Sequence, residues 1–139
     1  MSKYSGANTV IEFDNAGGSL VDMSQYILEM NGIDVEALFE DSHTFGDSWR
    51  ERLPAGFRQV DDIELSGFYD DTATTGPDVI FNAPAATVST ASRTLKVTFG
   101  GTKTASVECF IKKYSRKPVR ATITRFSVTL TTTGAVTET

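Results

Sequence analysis

The chain has 139 residues, of which 40% are hydrophobic, and it carries a formal net charge of −5 with one Cys and one His. This length suits one domain with a real core, and the amino-terminal segment lacks the apolar run of a secretory signal. One Cys excludes an internal disulfide, and one Cys with one His excludes a Cys/His zinc site within the chain. No stretch approaches the roughly 18 apolar residues of a membrane span. We therefore expect one soluble domain, residues 1–139, made in a cytoplasm and without membrane contact.

Apolar residues recur with a period of two along most of the chain, which predicts β-strands. The segment TVIEFD, residues 9–14, reads as a strand, and the turn residues from Asn15 to Gly18 follow it. Residues 26–30 alternate again, and Asn31-Gly32 then marks a turn or a bulge.

The segment from Ile33 to Glu40 has two interpretations. Its alternation predicts a strand, whereas VEALFED within it also fits one face of a helix. The alternation is longer than the helical match, so a strand is favoured. The next segment, HTFGDSWRERLP, breaks the pattern: Thr44 and Asp47 resemble a capping box and Pro54 ends the run, which predicts a short helix or a turn.

Period two returns from Phe57 to Tyr69. Ile63 and Leu65 lie on the apolar side of this alternation, so Asp62 and Glu64 should face solvent on the other side. Three further acids fall near the ends of this strand: Asp61, Asp70 and Asp71.

The next part of the chain predicts a hairpin. PDVIFNAP is too short to assign to a helix or a strand. Residues 95–99 and 105–111 then alternate on either side of Gly100-Gly101, which is a good hairpin signal.

The carboxy-terminal segment is basic and then rich in β-formers. KKYSRKPVR reads as a basic turn closed by Pro118. From Val119 onward the apolar phase slips at Thr124 and Arg125, as it does at a bulge, which predicts one long bent strand. The whole chain is thus expected to be an all-β sandwich or barrel with one or two short helices.

Charge is unevenly distributed along the chain. Residues 1–78 contain 16 acids and 4 bases, a net charge of −12, whereas residues 79–139 contain 2 acids and 9 bases, a net charge of +7. Either the fold interleaves these charges, or it separates them into ends of opposite sign. Separated ends let copies of the chain attract one another head to tail.

No residue set indicates an enzyme. The five acids of QVDDIELSGFYDD sit on a polar strand face and at its ends, not across a cleft, and the calcium-loop pattern is absent, which leaves only weak ion binding at Asp70 and Asp71. His43 lacks a nucleophile motif to work with and reads as a solvated loop residue. A basic cluster, from Lys112 to Arg120, lacks interleaved stacking or base-reading residues, so a surface turn or a subunit contact is preferred to nucleic-acid binding. We expect no cofactor and no metal.

The order of the segments is similar to that of one protein family. SGANTVIEFD, VDMSQYILEMNGID, HTFGDSWRERLPAGFRQVDDIELSGFYDD and FSVTLTTTGAV resemble the tail tube (major tail) proteins of long-tailed, siphovirus-type bacteriophages. The resemblance spans nearly the whole chain, and TFGDSWRERLPAGF with DDIELSGFYDD is its most specific part.

The resemblance implies a structural virion protein. Such subunits form hexameric rings that stack head to tail into a hollow tube, lined by a shared β-barrel, through which genomic DNA passes without being bound. The implied partners are other copies of the chain, a tape-measure protein, a tail terminator, and tail tip or baseplate proteins. The tube would lie in the virion tail and assemble in the cytoplasm of a host bacterium.

Two sets of candidate residues follow. A negative lumen would repel DNA phosphates, and the candidate lining acids are Asp62, Glu64, Glu29, Asp34 and Glu36. A long interaction loop, residues 40–57, interrupts two strands and is the candidate contact arm. The candidate subunit contacts are Trp49, Arg50, Arg52, Lys112, Lys113, Arg116 and Lys117. Trp49 also fits a core position.

Two other functions stay open. The chain also fits a monomeric or small-oligomer β-sandwich that binds or decorates a virion. A third possibility is the tube of a contractile injection machine, which shares the architecture and would require a sheath partner.

Overall fold

The computed structural model describes residues 5–15, 18–42, 44–46, 48–73, 75–81 and 92–139. These residues form β-strands and one short α-helix, α1, Pro77–Phe81. The strands are β1 Thr9–Asp14, β2 Leu20–Asp22, β3 Ile27–Met30, β4 Val35–Asp41, β5 Arg52–Val60, β6 Ile63–Phe68, β7 Arg93–Phe99, β8 Thr104–Lys117 and β9 Arg125–Glu138. The all-β class predicted from the sequence is confirmed.

Seven strands make one antiparallel sheet in the order β2-β1-β7-β8-β9-β6-β3, and β4 and β5 make a separate two-stranded ribbon. The inward side chains of the sheet pack into one cluster that includes Phe13 of β1, Val97 of β7 and Leu65 of β6. Strands that are far apart in the sheet order therefore share a core, so the sheet curls around it. Register shifts in β8, between Ser106 and Glu108 and between Ile111 and Lys113, supply bulges, which bend and twist a strand.

The core follows the alternation of the sequence. In β6 the inward residues Ile63, Leu65 and Gly67 are buried, and Glu64 between them is exposed. In β7 Leu95 and Val97 are buried in the same way. This alternation of buried and exposed side chains is that of a sheet with one face on the core and one face in solvent.

Helix α1 brings an aromatic side chain to one end of the core. Phe81 is fully buried, and its ring centroid lies 5.0 Å from that of Phe13 and 5.8 Å from that of Phe126. Tyr114 joins the group at 6.5 Å from Phe81. The segment PDVIFNAP, which the sequence left unassigned, is thus a helix from Pro77 to Phe81, and its residues 82–84 lie outside the described part.

Three segments differ from the sequence prediction. The alternation from Phe57 to Tyr69 is not one strand, because β5 ends at Val60 in the ribbon and β6 begins at Ile63 in the seven-stranded sheet, with Asp61 and Asp62 in the connection between them. The basic segment is not a turn, because β8 continues to Lys117 and pairs with β9 from Lys113 opposite Thr129 to Lys117 opposite Arg125. The predicted bulge at Thr124 and Arg125 is also wrong. A turn, in which Thr122 N donates to Val119 O at 3.2 Å, precedes β9, so the two apolar phases belong to different elements.

Cys109 is fully buried on β8, and burial raises the pKa of its thiol to about 12. Its thiolate is therefore scarce at pH 8, and reagents cannot reach the sulfur in the folded chain. We expect no reaction with a thiol-specific chromogenic reagent until the chain unfolds, measured as absorbance with and without denaturant. Rapid labelling of the native chain would contradict this placement.

Within the described residues, no helix has the length and apolarity needed to cross a membrane. In the same part of the chain, no three His, Cys, Asp or Glu side chains lie together as metal ligands.

Candidate assembly surfaces

The ribbon of β4 and β5 projects from the sheet as an arm, which we define as residues 35–60. The register runs from Val35 opposite Val60 to Asp41 opposite Arg52. The arm joins the body at its base, where Asp61 N donates to Asp34 O at 3.1 Å and Thr132 Oγ1 donates to Val60 O at 2.9 Å. No residue described in the arm is buried, so it depends little on the body for its packing.

Large apolar side chains cover both faces of the arm. Phe39 and Leu53 lie on opposite faces, because Phe39 pairs with Pro54 and successive residues alternate. Nearer the base, Val35 and Phe57 also lie on opposite faces, because Val35 pairs with Val60 and Phe57 is three residues before Val60. All four are more than half exposed: Val35 54%, Phe39 58%, Leu53 58% and Phe57 64%. A two-stranded ribbon with bare apolar faces is marginal in water, so both faces call for a covering partner.

The end of the arm carries two exposed aromatic side chains. Phe45 is fully exposed and Trp49 is 85% exposed, so the core alternative for Trp49 is wrong. The described residues of this segment form turns and bends, not a helix, and His43 and Asp47 lie outside the described part.

Pro54 does not end the segment HTFGDSWRERLP as the sequence predicted. It lies inside β5, whose outer edge is unpaired, and such an edge tolerates the missing N–H.

Arg50 and Arg52 are held within the arm. Arg50 donates two hydrogen bonds to Asp41, at 2.8 Å and 3.1 Å, and this contact raises the pKa of its guanidinium. Arg52 lies 3.7 Å from the same carboxylate. The two predicted contact residues therefore brace the end of the arm, and their role toward a neighbour stays a prediction.

The predicted lining acids divide between two places. Glu29 and Glu64 share the outer face of the sheet, since Glu29 pairs with Ser66 and Glu64 is two residues away on β6. Asp62 is next to them but forms an ion pair with Lys112 at 3.0 Å. Asp34 and Glu36 belong instead to the base of the arm, where Glu36 accepts a hydrogen bond from Gln59 at 3.3 Å.

The outer face that carries Glu29 and Glu64 has mixed charge. Glu64 pairs with Thr129 of β9, which in turn pairs with Lys113 of β8. Arg125 lies on this face too, over the ring of Phe68 at 5.8 Å. Between these charges β9 presents small hydroxyl side chains, Ser127 and Thr129. The outer face is therefore polar and carries both signs, and the lining role of its acids stays a prediction.

The fold also pairs charges from the two halves of the chain. Besides the pair of Lys112 with Asp62, Arg116 lies 3.3 Å from Asp78, which also accepts a hydrogen bond from the Tyr114 hydroxyl. These pairs join the acidic half to the basic half within one subunit. The fold therefore places some of the acids of residues 1–78 next to bases of residues 79–139. Lys113 and Lys117 remain exposed on the outer face.

No protein-family model and no curated protein matches the sequence. Solved structures do match the fold. A chain in the tail of an empty gene transfer agent particle, refined helically with C6 symmetry, gives a TM-score of 0.75 at 16% identity, with 99% of each chain covered. A chain of the anti-feeding prophage baseplate gives 0.79 at 8% identity, covering 100% of this chain and 97% of that one. A chain in the sheath-tube complex of the PVC extracellular contractile injection system gives 0.69 at 12% identity, covering 99% and 91%.

The chain has the fold of these tail and injection-system components. The likeness runs over essentially the full length of both partners, so it includes the arm segment as well as the sheet. At these identities the likeness is one of fold.

The arm is longer than the sequence indicated. The predicted loop began at residue 40, whereas the exposed ribbon begins at Val35 and its apolar residues Phe39, Leu53 and Phe57 were not singled out. One signal was present in the sequence: large apolar residues fall on both faces of these strands. A strand that covers a core on one side does not need them on the other.

Proposed function

We propose that the chain is a structural, non-enzymatic subunit of a phage-like tail tube, whose copies stack as hexameric rings around a hollow lumen. The arm carries this proposal. It has exposed apolar side chains on both faces, and its hydrogen bonds to the body lie at its base, so neighbouring chains are the natural cover for the exposed apolar area. The shared fold with a chain from a C6-symmetric tail supports six-fold rings.

The sheet edges support a barrel that is shared between subunits. β2 and β3 are the two edges of the seven-stranded sheet. Edge strands expose unpaired N–H and C=O groups, and closure of a barrel across neighbouring subunits satisfies them. In this arrangement DNA passes through the lumen without specific contacts.

The proposed place of the protein is the tail of a virion, after assembly in the cytoplasm of a host bacterium. Its proposed partners are its own copies, a tape-measure protein, a tail terminator, and tip or baseplate proteins. A siphovirus-type tail is the form that the sequence resembles. The tube of a contractile machine is the second candidate, because one structure with this fold is a sheath-tube complex of a contractile injection system.

Electron microscopy of the purified chain tests the assembly. We expect hollow rings or tubes in negative stain, with the mass in solution rising with concentration. Because the arm contacts are apolar, tubes should persist at high salt, whereas contacts between charged ends would weaken there. Monodisperse monomers at every concentration, also after a tape-measure or tip complex is supplied, would contradict the proposal.

Glu29→Lys combined with Glu64→Lys tests whether the outer face of the sheet lines the lumen of the tube. Both side chains are exposed on one outer face, so the double variant should fold and assemble. If this face lines the lumen, cationic side chains there bind phosphate, so DNA ejection from particles should slow and purified tubes should retain short duplex DNA at low salt. Glu29→Gln with Glu64→Gln is the matched control, which removes charge without adding cations. Unchanged ejection and no retained DNA would assign the face to the outside of the tube.

A further inference from the structure

The side chain of Asn31 continues the ladder between β3 and β6 where the backbone leaves it. Met30 pairs with Leu65, and Asn31 N donates to Glu64 O at 3.1 Å. Glu64 N then donates to Asn31 Oδ1 at 2.9 Å, and Asn31 Nδ2 donates to Asp62 O at 3.1 Å. The side-chain amide therefore takes the place of a backbone peptide group, with one acceptor and one donor.

This exchange of side chain for backbone lets the chain leave the sheet. Gly32 adopts a φ of 96°, which residues with a Cβ rarely adopt, and the arm begins three residues further on at Val35. The chain returns from the arm through Asp62, in the connection between β5 and β6. The Asn31 amide therefore joins the chain that enters the arm to the chain that leaves it, and so closes the base of the arm.

The base of the arm is suited to local opening. The arm is a two-stranded ribbon, which is marginal in water, and none of its described residues is buried. Asn31 is itself exposed, so water reaches its side chain. Segments with few buried contacts open at a small fraction of the free energy of global unfolding. We therefore expect the Asn31 amide to leave its partners transiently while the body stays folded.

Gly32 makes the released amide chemically reactive. Gly32 has no Cβ, so nothing shields its backbone nitrogen from the side chain before it. This nitrogen bonds to Cγ of Asn31, the bond from Cγ to Nδ2 breaks, and ammonia leaves with the proton of the Gly32 N–H. Water then opens the cyclic imide to aspartate or isoaspartate, and no other reagent is needed. In the closed base Asp62 and Glu64 hold the amide, which slows the rotation that the attack requires.

We propose that Asn31 is the latch of the arm and a deamidation site, at which opening of the base leads to irreversible loss of the latch. The product carboxylate has no N–H to donate to Asp62 O. It also adds a negative charge to a connection that already contains Asp34, Asp61 and Asp62, where Lys112 already pairs with Asp62. A deamidated arm therefore stays open.

The consequence for assembly rests on the proposed tube function, whereas the latch and its chemistry do not. Neighbouring chains that cover the arm in a tube hold its base closed and protect Asn31. The arm of a free subunit lacks this cover, so free subunits lose a well-directed arm with time.

Peptide mass spectrometry of the incubated chain measures the conversion of Asn31. We expect conversion in the native chain to be slower than in denaturant by about tenfold or more, because the attack requires opening of the base. Asn8 is the internal control. Its neighbour Thr9 is β-branched and hinders the attack, so Asn8 should convert slowly in both states. Equal rates for Asn31 in the native and the unfolded chain would overturn the latch.

Thr132→Val weakens the same base without changing Asn31. It removes the hydroxyl that donates to Val60 O, so native Asn31 should convert about fivefold faster. Thr133→Val changes an exposed neighbour on β9 and should leave the rate as it is in the parent chain. The same rate in both variants would mean that opening of the base does not control the reaction, which contradicts the proposal.

Asn31→Asp tests the open arm directly. Spin labels at Ser48→Cys on the arm and at Thr133→Cys on β9 report the distance between the arm and the body, and the native Cys109 is buried. The distribution of this distance should be broader in Asn31→Asp than in the parent chain. Asn8→Asp adds the same charge at an exposed position outside the arm and should leave the distribution unchanged. An unchanged distribution in Asn31→Asp would overturn the proposal.

Electron microscopy of the unlabelled Asn31→Asp chain separates the latch from the tube. A broadened arm together with impaired tubes supports both. Normal tubes from a chain with a broadened arm would refute the arm as the tube contact while supporting the latch. A parent chain that forms no tubes, with a broadened arm in Asn31→Asp, would refute the tube and support the latch.

Discussion

Phe39→Ser combined with Phe57→Ser is expected to abolish ordered assembly and to leave the subunit folded. The two side chains are 58% and 64% exposed on the arm, so in the single subunit each change should alter the free energy of unfolding by about 0.5 kcal/mol or less. In the proposed tube both are buried by neighbours. Loss of each anchor should then weaken association by about thirtyfold or more.

Sedimentation velocity and negative-stain microscopy measure the assembly of this variant, and thermal unfolding measures its stability. The matched control is Val119→Ser with Ile123→Ser, two apolar side chains outside the arm that are 47% and 65% exposed. The control should assemble as the parent chain does. Normal tubes from the arm variant would show that the arm is not an interface, and a large fall in its melting temperature would show that the arm packs on its own subunit.

Gly67→Ala should destabilise the fold severely. A Cβ on Gly67 would lie 1.9 Å from Tyr26 O and 2.9 Å from the Cα of Ile27, and both are backbone atoms. The backbone of β3 would have to move away from β6, and the hydrogen bond from Phe68 N to Tyr26 O, 3.0 Å long, would be lost. Overpacking of this kind costs about 3 kcal/mol or more, a large part of the stability of a small domain.

Thermal and denaturant unfolding measure this effect. Gly46→Ala is the control, because no atom lies within 4 Å of a Cβ at that position and its backbone conformation is an ordinary one. We expect the control to unfold close to the parent chain. An alanine at Gly67 that leaves the denaturation midpoint unchanged would mean that β3 does not approach β6 as closely as described.

Local sequence was sufficient for the strands that cover the core. In β1, β6, β7 and the first half of β8, one side of the alternation is apolar and the other is polar, so the pattern indicates both the strand and its inward face. Leu65 and Val97 are buried as expected from this pattern. The hairpin around Gly100 followed from turn chemistry, since Gly100 adopts a positive φ of 88°.

The sequence was less informative for α1 and the basic segment. PDVIF is shorter than two helical turns, so periodicity cannot separate a helix from a strand there. The residues from Lys112 to Lys117 resemble a charged turn, but β9 pairs with them from Lys113 onward and the charges point outward or form ion pairs. Pairing with a distant strand, and not local propensity, determined this element.

The sequence by itself determined the all-β class, most of the core and the resemblance to tail tube proteins, because these depend on alternation and on segment order along the chain. Only the tertiary structure decided that the ribbon of β4 and β5 leaves the body, that Trp49 is exposed, and that Glu29 and Glu64 share an outer face with Lys113. Alternation divides a strand into two faces. Which of them meets a core, a partner or water depends on the strands that fold around it.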